Sequence, residues 1–155
     1  MPDVMSPEQR KKAMRSNRGR TKPERALASQ LWRRALRYYT AQGYARLSGV
    51  KLPGSPDIIF PRIKVAVFVD GCFWHGCPVC GKVKKDMSEY WLTKIRKNKE
   101  RDNRVDDQLI QMGWTPIRVW EHEVNAAEKL RCTADSLATL LKELARAQEV
   151  NRSAR

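Results

Sequence analysis

The sequence has no long hydrophobic run. A membrane-spanning helix needs about 18 or more apolar residues in succession, and no stretch approaches that. The first residues, MPDVMSPEQRKK, lack the apolar core of a secretory signal, so a cytoplasmic protein is the expectation. Internal repeats and low-complexity tracts are also missing. Acids are scarce: 17 Asp+Glu stand against 31 Lys+Arg, giving a net charge of +14 and a pI near 10.1. Histidine is scarcer still, with two in 155 residues, and there are four cysteines.

What remains is a chain suited to one domain, 41% hydrophobic and therefore able to bury a core. The excess of positive charge points first to nucleic acid and only distantly to an anionic membrane surface. The charge is not a simple tail. Arg10, Lys11, Lys12, Arg15, Arg18, Arg20, Lys22 and Arg25 form one basic stretch, and residues 82–104 form another. Two separated stretches suit a long polyanion touched at several points.

Residues 1–20 read as a basic N-terminal arm, 21–147 as the folded domain and 148–155 as a frayed tail. A helix is predicted from Thr21 to about Ala41, with Thr21 and Glu24 as a capping box and Pro23 in the first turn. Its stripe is Leu27, Leu31 and Ala35, and Gly43 is read as its end. Tyr44–Leu47 is read as a short strand, followed by a turn over 52–56. Strands are predicted at Asp57–Phe60 and Lys64–Val69, the latter central because it is the most apolar run. A long helix runs from Ser88 to Met112 and ends at Gly113, and Pro116–Trp120 reads as another buried strand. Thr133 is read as the cap of a last helix bearing Leu137, Leu140, Leu141 and Leu144. This order implies an α/β domain around a mixed sheet.

Cys72-x4-Cys77-x2-Cys80 puts three soft ligands within nine residues. Disulfides are disfavoured without a secretory signal, and the C-x2-C step lets two thiolates reach one zinc. Cys132, His75 and His122 compete for the fourth position. His122 is favoured because it follows a strand end, where loops from neighbouring strands meet. Four protein ligands would make the site structural.

Asp57 opens an apolar strand, where a carboxylate needs a partner, and magnesium is one that prefers oxygen ligands. A turn aspartate after Ser-Pro is the plainer alternative. Asp102 interrupts the stripe Trp91, Ile95, Asn98, Asp102, Val105, Leu109 of the long helix. Two partners fit it: His75, which would make the pair chemical, or a salt bridge to Lys99, Arg101 or Arg104. Glu24 reads as a cap and Asp70 as a strand-end acid before Gly71. Phe73 and Trp74 are adjacent in a loop, as wedges inserted between base steps are, or else they pack over the cysteines. Trp91 reads as core or as a third member of that group, and Met14 stands without a core to fill, beside Arg15 in the arm.

The strings MRSNRGRTKPE, LPGSPDIIF, VFVDGCFWHGC, EYWLTKIRKNKERD and GWTPIRVWE, in this order, resemble the very short patch repair (Vsr) endonucleases from about Arg10 to Leu144. The resemblance implies a restriction-endonuclease-like α/β fold of PD-(D/E)xK type, with helices flanking a mixed sheet and a structural zinc. It implies a magnesium-dependent nick of one strand, 5′ of the thymine in T:G mismatches left by deaminated 5-methylcytosine. The substrate is double-stranded DNA, the enzyme a monomer near the nucleoid, and repair-pathway proteins are expected associates.

Residue by residue, Asp57 matches the magnesium-binding aspartate and the Val69 carbonyl a second metal contact. His75 matches the general base, Asp102 its carboxylate partner, and Glu24 a further active-site acid. Phe73, Trp74 and Trp91 match the aromatic wedge, and Met14 a residue of the arm that enters from the other groove. Two departures stand out. Asp70, counted among the catalytic residues, occupies a position where the family pattern has a histidine important for activity; an acid there would either bind metal or lower activity, and it cannot copy a neutral imidazole. Among the zinc ligands, Cys77 replaces a histidine, His122 replaces the last ligand, and the loop around Cys80 differs in length. The departures keep two other readings open: a nickase for another mismatch or modified base, and a zinc-bearing DNA-binding module without activity.

Overall fold

The computed structural model describes residues 20–80 and 87–155, together with Glu8. The expected arm, with Met14 and Arg15, lies outside the described residues apart from Glu8 and Arg20. Chain order is α1 (Lys22–Arg33), α2 (Ala41–Ser48), β1 (Ile58–Phe60), β2 (Val65–Asp70), α3 (Glu89–Gln111), β3 (Thr115–Trp120), a 3-10 turn (Glu121–Glu123) and α4 (Ala127–Ser153).

The strands form one mixed sheet in the order β1-β2-β3. β1 pairs antiparallel to β2, with Ile58 opposite Val67 and Phe60 opposite Val65. β3 runs parallel to β2, from Val65 opposite Thr115 to Asp70 opposite Trp120. Side chains alternate between the faces of a strand, and here the alternation separates two cores. Ile58, Phe60, Val65, Val67 and Val119 pack with Leu27 and Leu31 of α1 and Leu137 and Leu141 of α4. Ile59, Ala66 and Phe68 face the other way, toward Leu109 of α3, Leu52 and Trp114. By the same alternation Asp57, Asp70 and Arg118 fall on the α3 side of the sheet.

The apolar runs predicted as β1, β2 and α3 fall where expected. The first helix is shorter than expected. It stops at Arg33, and Ala35 takes a left-handed turn (φ 62°) that sends Leu36 and Tyr38 back onto the core. Tyr44–Leu47 is helical, not a strand. Thr40 caps α2 by accepting from the Gly43 N–H at 3.1 Å, and Gly49 closes it at φ 72°, so Gly43 lies inside a helix rather than ending one. β3 is an edge strand of this sheet with only Val119 fully buried, a position that tolerates Pro116.

The last helix begins at Ala127, before Thr133, whose hydroxyl donates instead to the Glu123 carbonyl at 2.8 Å. It also runs past the expected fray at Gln148 to Ser153. The Gln148 side chain donates to the Ile63 carbonyl at 2.7 Å and ties the helix end to the β1–β2 turn.

Candidate active site and metal centre

Because β2 and β3 are parallel, both end at the same edge of the sheet. Asp70 and Trp120 are opposite each other in register, and Cys72 and His122 each stand two positions further on. The register therefore brings together residues 50 apart in sequence. Nδ1 of His122 lies 3.3 Å from the Cys72 sulfur and 3.5 Å from the Cys77 sulfur. With Cys80, the four ligand atoms lie within 4.8 Å of one another. Zinc with bonds of about 2.3 Å to sulfur and 2.0 Å to nitrogen holds tetrahedral ligands about 3.5 Å apart, so the cluster has the right size and donor set. Burial, reinforced by the neighbouring thiols Cys77 and Cys80, pushes the Cys72 thiol up to about 11. A divalent cation reverses that by stabilising thiolates. Cys132 is exposed on α4, outside the cluster.

The second constellation lies on the α3 side. Asp102 reaches His75 rather than the neighbouring basic residues: its Oδ2 is 2.5 Å from Nδ1 of the imidazole. A carboxylate there fixes Nδ1 as the protonated nitrogen and leaves Nε2 as the acceptor. One turn before Asp102, Asn98 donates to the Trp74 carbonyl at 2.9 Å, so α3 holds the loop at two successive residues, Trp74 and His75.

Asp57 lines the same cleft, of about 600 Å³, with Glu24, Asp70, His75, Asp102 and Arg118. Its Oδ2 accepts from the Val69 N–H at 2.8 Å. Burial pushes its carboxyl up to about 7 against that bond, and the charges of Glu24 and Asp70 add to the rise while Arg20 opposes it. A buried acid with other acids beside it is an oxygen-rich site that suits a hard cation. Glu24 has both of its expected roles open to it, for it caps Thr21 N–H at 3.1 Å and also lines the cleft.

Phe73, Trp74 and Trp91 form one cluster, with ring centroids 5.2 to 5.6 Å apart. Phe73 is 44% exposed, so the cluster is neither core nor fully covered. Tyr90 joins it at 5.1 Å from Trp91, and the Lys94 ammonium lies over three of the rings.

Sequence reading missed Arg118. This arginine donates to both Asp70 oxygens at 2.9 and 3.1 Å, to Asp106 at 2.8 to 3.1 Å, and to the Asp102 carbonyl at 3.3 Å. These acids raise its pKa further despite its burial. The signal was present: Arg118 is a charge inside an apolar strand, as conspicuous as Asp57. Asp70, 4% exposed, is thus a buried strand-end acid held in an ion pair.

A family model described as DNA mismatch endonuclease Vsr matches residues 2–80. The chain is 46% identical over 115 residues to the type II nicking enzyme V.NaeI of Lentzea aerocolonigenes, covering 74% of this chain and 68% of that protein. It is 41% identical over 127 residues to the type II nicking enzyme V.HpaIIP of Haemophilus parainfluenzae, covering 79% and 84%. It is 39% identical over 147 residues to the DNA mismatch endonuclease Vsr of Escherichia coli (strain K12), covering 92% and 87%.

Proposed function

From the chain's membership of the Vsr family of DNA mismatch endonucleases, we propose that it nicks one strand of double-stranded DNA 5′ of the thymine in a T:G mismatch, with magnesium as cofactor. The observation that carries this reading is the convergence of Asp57 and the His75–Asp102 pair on one cleft beside an exposed aromatic cluster. A restriction-endonuclease-like core is consistent with β2 at the centre of a mixed sheet.

Magnesium held by Asp57 and the Val69 carbonyl would neutralise charge on the scissile phosphate and the departing 3′ oxygen. His75 does the proton work. Nε2 takes a proton from the attacking water while Asp102 supports the imidazolium through Nδ1. The water oxygen bonds to phosphorus, the bond from phosphorus to the 3′ oxygen breaks, the 3′ oxygen takes a proton from solvent, and His75 returns its own to solvent, leaving 5′-phosphate and 3′-hydroxyl ends. Glu24 orders the metal side of the cleft. Asp70 serves through its ion pair, both its oxygens accepting from Arg118, and it lies with His75 and Asp102 in a group whose ligand atoms are close enough to share a cation.

Phe73, Trp74 and Trp91 test the stack, since a mismatched pair costs less to open than a paired one. Met14 and Arg15 belong to an arm that contacts DNA from the far groove. Zinc on Cys72, Cys77, Cys80 and His122 holds the loop that carries both the wedge and His75. The enzyme works as a monomer near the nucleoid, with repair proteins downstream. No helix among the described residues is long and apolar enough to cross a membrane.

A second reading is favoured by the type II nicking enzymes among the relatives: the same nicking chemistry on another mismatch or modified base. End-labelled duplexes carrying one T:G mismatch, other mismatches or none, with magnesium present or withheld, test both. A magnesium-dependent nick 5′ of the mispaired thymine supports the first reading. Nicking confined to another duplex supports the second, and binding without cleavage of any duplex overturns both.

A further inference from the structure

Two carboxylates are within reach of one imidazole nitrogen. Nδ1 of His75 lies 2.5 Å from Asp102 and 3.9 Å from Oδ1 of Asp70. Only the first contact leaves the ring oriented from α3, and the second would draw it toward the end of β2. Asp70 is the more deeply buried of the two, and a buried carboxylate takes whatever donor is offered. Something must satisfy it other than His75.

We infer that Arg118 is a positioning residue that holds Asp70 away from His75 and thereby reserves the imidazole for Asp102. The guanidinium is fixed for this task. Nη1 donates to both Asp70 oxygens, Nε and Nη2 grip Asp106, and Nη2 also reaches the Asp102 carbonyl. Its planar group lies over the Phe68 ring, 4.4 Å from the centroid. A planar fork with five donors can serve three acids from β2 and α3 at once, which a lysine cannot. Nη1 is also 3.8 Å from Oδ1 of Asp102, so the arginine sits between the two acids that face the ring.

This inference rests on the proposed role of His75, so its test carries one readout that does not depend on nicking. Wild type, His75→Ala, Arg118→Met, Asp70→Asn and the double variant Asp70→Asn/Arg118→Met are compared by single-turnover nicking, DNA affinity and proton NMR of the His75 Nδ1–H resonance. Arg118→Met frees Asp70 to compete. Nicking falls by ~100-fold, the scale of one displaced acid–base group, while DNA affinity changes little, and the His75 resonance shifts or vanishes. The double variant has lost more contacts, yet it recovers ~10-fold or more of the rate and regains the resonance, because the competitor is gone. A purely structural arginine would also be relieved by removing the orphaned Asp70 charge, but that recovery would appear in the melting temperature and leave the His75 resonance unmoved in all variants.

Nicking by Arg118→Met at the wild-type rate, or a double variant no better than Arg118→Met, overturns the inference. If Arg118→Met does not fold, the same comparison is read on Arg118→Lys with and without Asp70→Asn. If wild type nicks no duplex, the functional reading fails separately, and the resonance alone decides this one.

Discussion

The Val69 backbone N–H donates to Oδ2 of Asp57 at 2.8 Å, joining the start of one strand to the end of its neighbour. That bond favours the charged carboxylate, but it is outweighed by loss of water and by the nearby acids Glu24 and Asp70. The result is an acid poised to change protonation near neutrality unless a cation takes the place of the missing solvent.

The pH dependence follows from that balance. Asp57 ionises at 3.8 in the absence of structure and at about 7 in the fold. Its contribution to stability is complete below the first value and is lost as pH rises through the second. A bound cation prefers the ionised form and acts in the opposite direction. Magnesium should therefore raise the melting temperature more at pH 8 than at pH 6. Asp57→Asn should abolish the magnesium effect and flatten the decline of the metal-free protein between pH 4 and 7. Calorimetry at the two pH values is sufficient, and an equal magnesium shift at both would contradict the assignment.

His75→Ala should leave DNA affinity nearly intact and reduce nicking by ~100-fold or more, the range expected for a lost general base. Asp102→Asn should give a loss of similar size, because it disturbs the orientation and tautomer of the same ring. Single-turnover rates and binding isotherms separate the two effects. A fully active His75→Ala would assign the base elsewhere.

Cys77→Ser should release zinc and lower the melting temperature by about 10 °C or more, since structural zinc contributes folding energy directly. Cys132→Ser should change neither, because Cys132 is exposed on α4 and apart from the ligands. Metal analysis alongside a thermal scan distinguishes the cysteines. Unchanged zinc in Cys77→Ser would remove that residue from the ligand set.

Trp74→Ala should weaken binding to a mismatched duplex by ~10-fold, in line with ~1–3 kcal/mol for a base stacked on an aromatic ring. Affinity for the matched duplex should hardly move, because that stack stays closed. Fluorescence titrations of the two duplexes give the ratio. Equal losses on both would reduce the ring cluster to packing over the loop.

Gly76 adopts φ +63° between His75 and Cys77, and a Cβ there would lie 2.5 Å from Cε of Lys99 and 2.9 Å from Ile95. Gly76→Ala should cost ~1–2 kcal/mol of backbone strain, with a melting temperature lower by a few degrees. The lysine end can swing aside, but Ile95 is buried and cannot. Nicking should fall with it, as His75 and Cys77 are displaced together; a variant with wild-type melting and rate would show that the loop accommodates the methyl.

The sequence was most readable where one signal had one explanation. The apolar runs at β1 and β2, and the long stripe of α3, announced themselves by periodicity. The cysteine spacing marked a cluster able to hold a metal, and a strand end supplied the reason to choose His122, which the fold brings to it. Asp102 was legible as an acid in an apolar stripe, although the residue alone left its partner undecided between His75 and a salt bridge. Reading failed where tertiary contacts decide. Nothing local shows that Leu36 and Tyr38 fold back onto the core and cut the first helix short. Thr133 looked like a cap because threonine caps helices, but its hydroxyl serves a carbonyl ten residues earlier. Arg118 shows in the sequence as a charge inside an apolar strand, but its meaning lies in three acids from two other elements, which no local pattern names.

Asp70 to Cys77 is a continuous octapeptide holding the strand-end acid, two thiols of the Cys/His cluster, two aromatic rings and the imidazole. Such a segment behaves as a cassette. Recombination that exchanges it would move these groups in one event, but the recipient must supply an aspartate like Asp57, one like Asp102, and cluster members like Cys80 and His122. An insertion inside it would break several geometries at once, so divergence should come by exchange of residues at constant length. A further dependency lies on the neighbouring strand. A recipient strand opposite it must already carry an arginine where Arg118 stands, or the transplanted Asp70 arrives without its partner.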